Sequence, residues 1–184
     1  MLTNIKKNNA ILSLFTCLML LMHVVYQAAA HLLFFYYPIV SKTLGYAIFI
    51  PAFLHGVMSA ISVLFLHDSR KIMYKKANVR TYVQRICAVI IVVLLPAHLH
   101  SYAIHSITAG SALFFAAASI QIVFYGAIFT HATISVSKAL ISLGMIEDMD
   151  KMHMIDRSLY AAGAALFVAV SIIVTGAKMT LFGM

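Results

Sequence analysis

The sequence predicts an all-α protein, a bundle of five transmembrane helices, and three observations carry that prediction. Of 184 residues, 63% are hydrophobic and only 10% are charged, and the mean hydropathy is +0.98. A soluble domain is about half apolar and about a quarter charged. The few charges are gathered into short stretches that separate long charge-free runs. One of those runs is too long for a single membrane crossing. A soluble, disordered or nucleic-acid-binding chain is thereby excluded, although the net charge is +8 and the pI about 9.6.

The charge-free runs parse the helices. Residues 8–41 form a run of 34, residues 43–67 one of 25, residues 86–137 one of 52, and residues 158–177 one of 20. A spanning helix needs about 20 residues. As one helix the 52-residue run would be roughly 78 Å long at 1.5 Å per residue, so it must fold back. The turn falls at His105–Ser111, its polar, glycine-bearing stretch. Five helices follow, over residues 10–35, 45–67, 83–105, 112–140 and 157–180, and residues 1–184 form one domain with no internal repeat or linker. Lys6-Lys7, an apolar run and Ala28-Ala29-Ala30 also fit the pattern of a cleavable signal peptide. The apolar stretch continues well past Ala30, which favours a spanning helix.

Orientation follows from lysine and arginine. Lys6, Lys7, Arg70, Lys71, Lys75, Lys76, Arg80, Arg85, Lys138, Lys151 and Arg157 all fall on one side, leaving Lys42 and Lys178 on the other. The positive-inside rule places the N-terminus in the cytoplasm and the C-terminus outside. The five acids, Asp68, Glu147, Asp148, Asp150 and Asp156, fall on the cytoplasmic side and outside the spans.

Cys17 and Cys87 lie far apart and form no C-x-x-C pair. An iron–sulfur centre needs four thiolates, so both read as small apolar packing residues. There is no glycine-rich phosphate loop and no nucleophile elbow.

Nine histidines are the chemical signal. Polar groups at membrane depth are costly and point to function. His23, His55, His98 and His131 fall inside the first four helices, while His31, His67, His100 and His105 lie nearer helix ends and His153 in a cytoplasmic loop. His23 is 15 residues from the inner end of its run and His98 is 16 residues from Tyr82, roughly 22 and 24 Å along their helices. His55 is 13 residues from Asp68, and His131 is 7 to 13 residues from the inner end of the fourth helix. The four thus match in depth as two pairs. A lone histidine is as readily a hydrogen-bonded core residue. Two depth-matched pairs on four helices suit two haems, whose irons take axial imidazoles. His98 and His100 point about 200° apart on a helix and cannot serve one haem. Pro51 and Pro96 precede His55 and His98 and can bend their helices.

Several stretches resemble the five-helix, di-haem cytochrome b anchor subunit of succinate:menaquinone reductases and fumarate reductases. They are Leu18–Gln27 around His23, Phe53-Leu54-His55 followed by Ser59, Tyr82-Val83-Gln84-Arg85 with His98 fourteen residues after the glutamine, and His131 followed by Gly144. The resemblance implies His23 and His98 as ligands of a distal b-type haem, and His55 and His131 as ligands of a proximal one. It implies a propionate contact for Arg85, flavoprotein and iron–sulfur partner subunits on the cytoplasmic face, menaquinone as electron carrier, and a bacterial cytoplasmic membrane. Ser59 and Ala88 stand where the family often has glycine, and no span holds a carboxylate for a proton route.

A quinone site needs hydrogen-bond donors beside an apolar slot. His31, Tyr102 and His105 on the outer side, and His67 and Arg85 on the inner side, offer them. Two other readings stand beside this one: a di-haem subunit of another membrane oxidoreductase, against which the Gln-Arg…His spacing argues, and a haem-free transporter or scaffold. A transporter should show repeats or broken helices, and neither is visible.

Overall fold

The protein was analysed as a computed structural model, which describes residues 2–33, 35, 37–65, 75–101 and 112–182. These residues form five helices in chain order: α1 (Leu2–Leu32), α2 (Pro38–Phe65), α3 (Lys75–Ser101), α4 (Ala112–Ser142) and α5 (Met149–Phe182). Each contains a stretch long and apolar enough to cross a membrane. The expected fold class is therefore the observed one.

The helices are longer than predicted. α1, α2, α3 and α5 each begin about two turns before the predicted start, so Lys6, Lys7, Lys42 and Arg80 lie within helices. His153, expected in a loop, lies in α5, as does Asp156. The physical reason is that charge-free length reports the hydrocarbon depth alone. A helix continues into the interfacial zone, where basic residues are tolerated and the backbone still closes its own hydrogen bonds. α2 and α3 both run through Pro51 and Pro96 without a break.

The helix ends use ordinary local chemistry. Pro38 opens α2 at the first helical position, where its missing N–H costs nothing. The Tyr26 hydroxyl ties the α1–α2 connection, accepting from Tyr37 N at 3.1 Å and donating to Tyr37 O at 3.2 Å. Asp148 caps α5, its Oδ1 accepting from Asp150 N at 2.9 Å. α4 stops in a Schellman turn: Met145 N donates to Leu140 O and Gly144 N to Ile141 O, each at 3.0 Å, with Gly144 at φ +73°. The spacing from His131 to Gly144 is thus the spacing from a mid-helix residue to a helix stop.

α4 is the organising helix. It packs on α1, α3 and α5, while α1 also packs on α2 and α5. Around the first four helices the order is α2, α1, α4, α3. Among the described residues the α2 and α3 backbones do not approach each other closely. α1/α3 and α2/α4 are therefore the diagonal pairs. The core is built on α4 from Phe124, Tyr125 and Phe129, with Val170 of α5. Many large apolar side chains on α1, α2 and α3 face outward, among them Ile39, Tyr46, Val92 and Leu99. Such a surface is far beyond what a soluble monomer exposes and suits acyl chains. α4 and α5 meet closely at Gly163, where an added Cβ would overlap Thr133 Cγ2.

Candidate functional site

The four mid-helix histidines lie at two levels: one pair is in ring contact and the other lines a shared cavity. At the first level, His55 of α2 and His131 of α4 face each other with ring centroids 6.3 Å apart and planes at 81°. Their helices do not approach each other at backbone level, so the two rings bridge the bundle interior. His131 Nδ1 lies 3.0 Å from the backbone oxygen of Gln84. A carbonyl only accepts, so Nδ1 carries the proton and the Nε2 lone pair is left for a ligand. His55 Nδ1 is buried without a hydrogen-bond partner.

At the second level, His23 of α1 and His98 of α3 line one cavity of about 60 Å³, with Leu20, Gln27, Phe124 and Ile128. His98 Nδ1 is 2.7 Å from Gln121 Oε1, and the ring stacks on Phe124 at 4.5 Å and meets Tyr125 edge-on at 5.9 Å. His23 Nδ1 is buried without a hydrogen-bond partner. Gln121 and His131 are ten residues apart on α4, which separates the two levels by about 15 Å.

The first level is the more polar. Gln84 Nε2 donates to Ser135 Oγ at 2.8 Å, and its Oε1 accepts from Lys138 Nζ at 2.7 Å. Lys138 Nζ also donates to Thr81 Oγ1 at 2.9 Å. Asn9 Nδ2 donates to Ser59 Oγ at 3.2 Å, which joins α1 to α2. Arg80 of α3 and Asp156 of α5 form a two-pronged ion pair at 2.7 and 3.0 Å. Arg80 and Arg85 both stand within electrostatic reach of Lys138. This level is therefore the one near the basic end of the bundle.

Paired imidazoles are a donor set that a haem iron would take. A metal gripped by two opposed imidazoles puts their centroids roughly 6 to 6.5 Å apart, given metal–nitrogen bonds of about 2 Å. The 6.3 Å centroid separation of His55 and His131 equals that span. Buried Nδ1 atoms without partners on His23 and His55 show polar groups whose environment is incomplete. Among the described residues, no three metal-ligating side chains cluster, so the arrangement is one of pairs.

Of the other predicted residues, Arg85 is exposed on α3 and His31 is half-buried near the end of α1. His67, Tyr102, His105 and the predicted turn at His105–Ser111 lie outside the described residues. Ala88 is half-buried, and Ser59 is engaged by Asn9.

Sequence reasoning missed Gln121, Lys138 and Asp156. A signal for the first was present. The chain has three glutamines, Gln27, Gln84 and Gln121, and each bridges two helices, Gln27 by donating to Ser41 Oγ. An amide inside an apolar run must find a partner, so each was a marker of a helix contact.

The fold and site define a membrane-spanning helical bundle with paired intramembrane imidazoles. No known family, curated protein or solved structure matches this chain.

Proposed function

We propose that the chain is the di-haem cytochrome b anchor of a succinate dehydrogenase/fumarate reductase-like complex, carrying electrons between an iron–sulfur partner subunit and membrane quinone. The observation that carries this reading is the ring contact of His55 with His131 at one level, with His23 and His98 lining a shared cavity at another. His55 and His131 would hold the proximal b-type haem, and His23 and His98 the distal one. Bound there, haem supplies a one-electron iron couple in an apolar interior.

The chain's own residues do the rest. The Gln84 carbonyl fixes the His131 tautomer, and Gln84 is itself held by Ser135 and Lys138. Phe124, Phe129 and Val170 form the apolar wall of the second level. Arg85, exposed at the basic end, is available to a haem propionate. By the positive-inside rule this end faces the cytoplasm, and there a flavoprotein and an iron–sulfur subunit would dock. Succinate–fumarate chemistry belongs to those partners. Menaquinone, in a bacterial cytoplasmic membrane, is the carrier that the resemblance implies, and His31 and Arg85 are the described residues able to meet it.

The test is a reduced-minus-oxidised optical spectrum of membranes expressing the chain. A b-type band with two haems per chain is expected, and absence of any band would sink the proposal. Co-purification should then bring down a flavoprotein and an iron–sulfur protein. Different soluble subunits would reassign the complex while leaving the haem pairs intact.

A further inference from the structure

Resting on the haem reading, we infer that Gln121 is a positioning residue for the His98 imidazole, selecting Nε2 as the ligating nitrogen and setting the electron donation of that ring alone. Gln121 is 2% exposed in the middle of α4. An amide buried among apolar side chains costs free energy unless it is hydrogen-bonded. Its Oε1 lies 2.7 Å from His98 Nδ1. In this orientation Nδ1 donates and Nε2 keeps its lone pair. The opposite amide orientation would place the proton on Nε2 and remove it as a ligand.

Phe124, three residues further along α4 and on the same face, stacks on the ring at 4.5 Å. One turn of α4 thus fixes both the edge and the face of the imidazole. The other level is built differently. His131 donates to a backbone carbonyl, which no substitution of that side chain replaces. Residue 121 is therefore a place where a single side chain tunes one site and leaves the other alone. Groups that hydrogen-bond a ligating imidazole set its orientation and basicity.

The experiment uses the full chain in membranes, with optical redox titration of wild type, Gln121→Glu and Gln121→Leu. Gln121→Glu should keep two haems and lower the midpoint potential of one, because a carboxylate draws the Nδ1 proton harder and stabilises ferric iron. Gln121→Leu should weaken retention of that haem by about 10- to 100-fold, or raise its midpoint where it is retained. The second haem should titrate as in wild type in both variants. Wild-type potentials and full occupancy in both variants would overturn the inference while the haem reading stands. A wild-type chain without haem would overturn both, so the two failures are told apart by the wild-type spectrum. The leucine variant carries no charge and guards against misfolding caused by a buried carboxylate.

Discussion

The two histidine levels share a ligand chemistry and differ in everything around it. The His55/His131 level lies among Gln84, Ser135, Lys138 and Thr81, with the Arg80–Asp156 pair on the basic side. The His23/His98 level is walled by Phe124, Phe129, Ile128 and Val170, and Gln121 is its polar contact to a ring. Identical imidazole pairs in unlike surroundings give unlike electron affinities, because nearby charge and hydrogen bonding set the potential of a bound iron. The contrast teaches that, among the described residues, the two levels differ in polarity: the first has a cationic network and the second mostly apolar walls.

The sharpest way to break the comparison is to remove a ligand. His55→Ala or His131→Ala should abolish one haem, and His23→Ala or His98→Ala the other, halving the reduced-minus-oxidised band in each case. Two haems retained in His23→Ala would refute the assigned pair and turn attention to His31. Next in size is the charge difference. Lys138→Met removes an ammonium held by Thr81 and Gln84, and redox titration should show a lower midpoint for the His55/His131 haem and an unchanged one for its neighbour. An equal shift of both would show that the levels are not electrostatically distinct.

The mechanical differences are smaller. Arg80→Ala strands Asp156 at a partly buried site, where the two side chains are 24% and 12% exposed. The cost should be about 2 kcal/mol, between the exposed and buried limits for ion pairs. Thermal unfolding in detergent would measure it, and the double variant Arg80→Met/Asp156→Leu should unfold later than the single one. Gly163→Ala pushes a methyl onto Thr133 Cγ2, two residues from His131. A loss of about 1 to 3 kcal/mol is expected from overpacking, falling on the His55/His131 level first. The smallest effect is at Gly144. Gly144→Ala places a Cβ at φ +73° and should cost about 1 kcal/mol, with both haems kept.

Much of this was legible before any coordinates. That His55 and His131 share a level could be read by counting residues from helix ends, because the rise of 1.5 Å per residue is fixed. Helix ends were less legible. Arg80 and Asp156 were read as lying outside the spans, yet both are helical and paired across α3 and α5. Charge marks where hydrocarbon ends, not where a helix does. Gly144 was readable as part of a family-like spacing, and its turn shows a local reason for that glycine. Gln121 was passed over because a single neutral amide carries no periodic signal.

Composition and charge spacing by themselves determined that the described chain is five apolar helices and which end of the bundle is basic. The physical reason is that desolvating a charge is expensive at membrane depth, so the charges must cluster at the ends. Rotation of each helix about its axis was left open. The helices are apolar nearly all round, so no polar face tells which side looks inward. Only tertiary packing decided that α1/α3 and α2/α4 lie on the diagonals, that the α2 and α3 backbones do not approach each other closely, and that Gln121 meets His98. Those outcomes depend on how side chains of similar polarity but different shape interlock, a property of pairs of helices that no single segment of sequence contains.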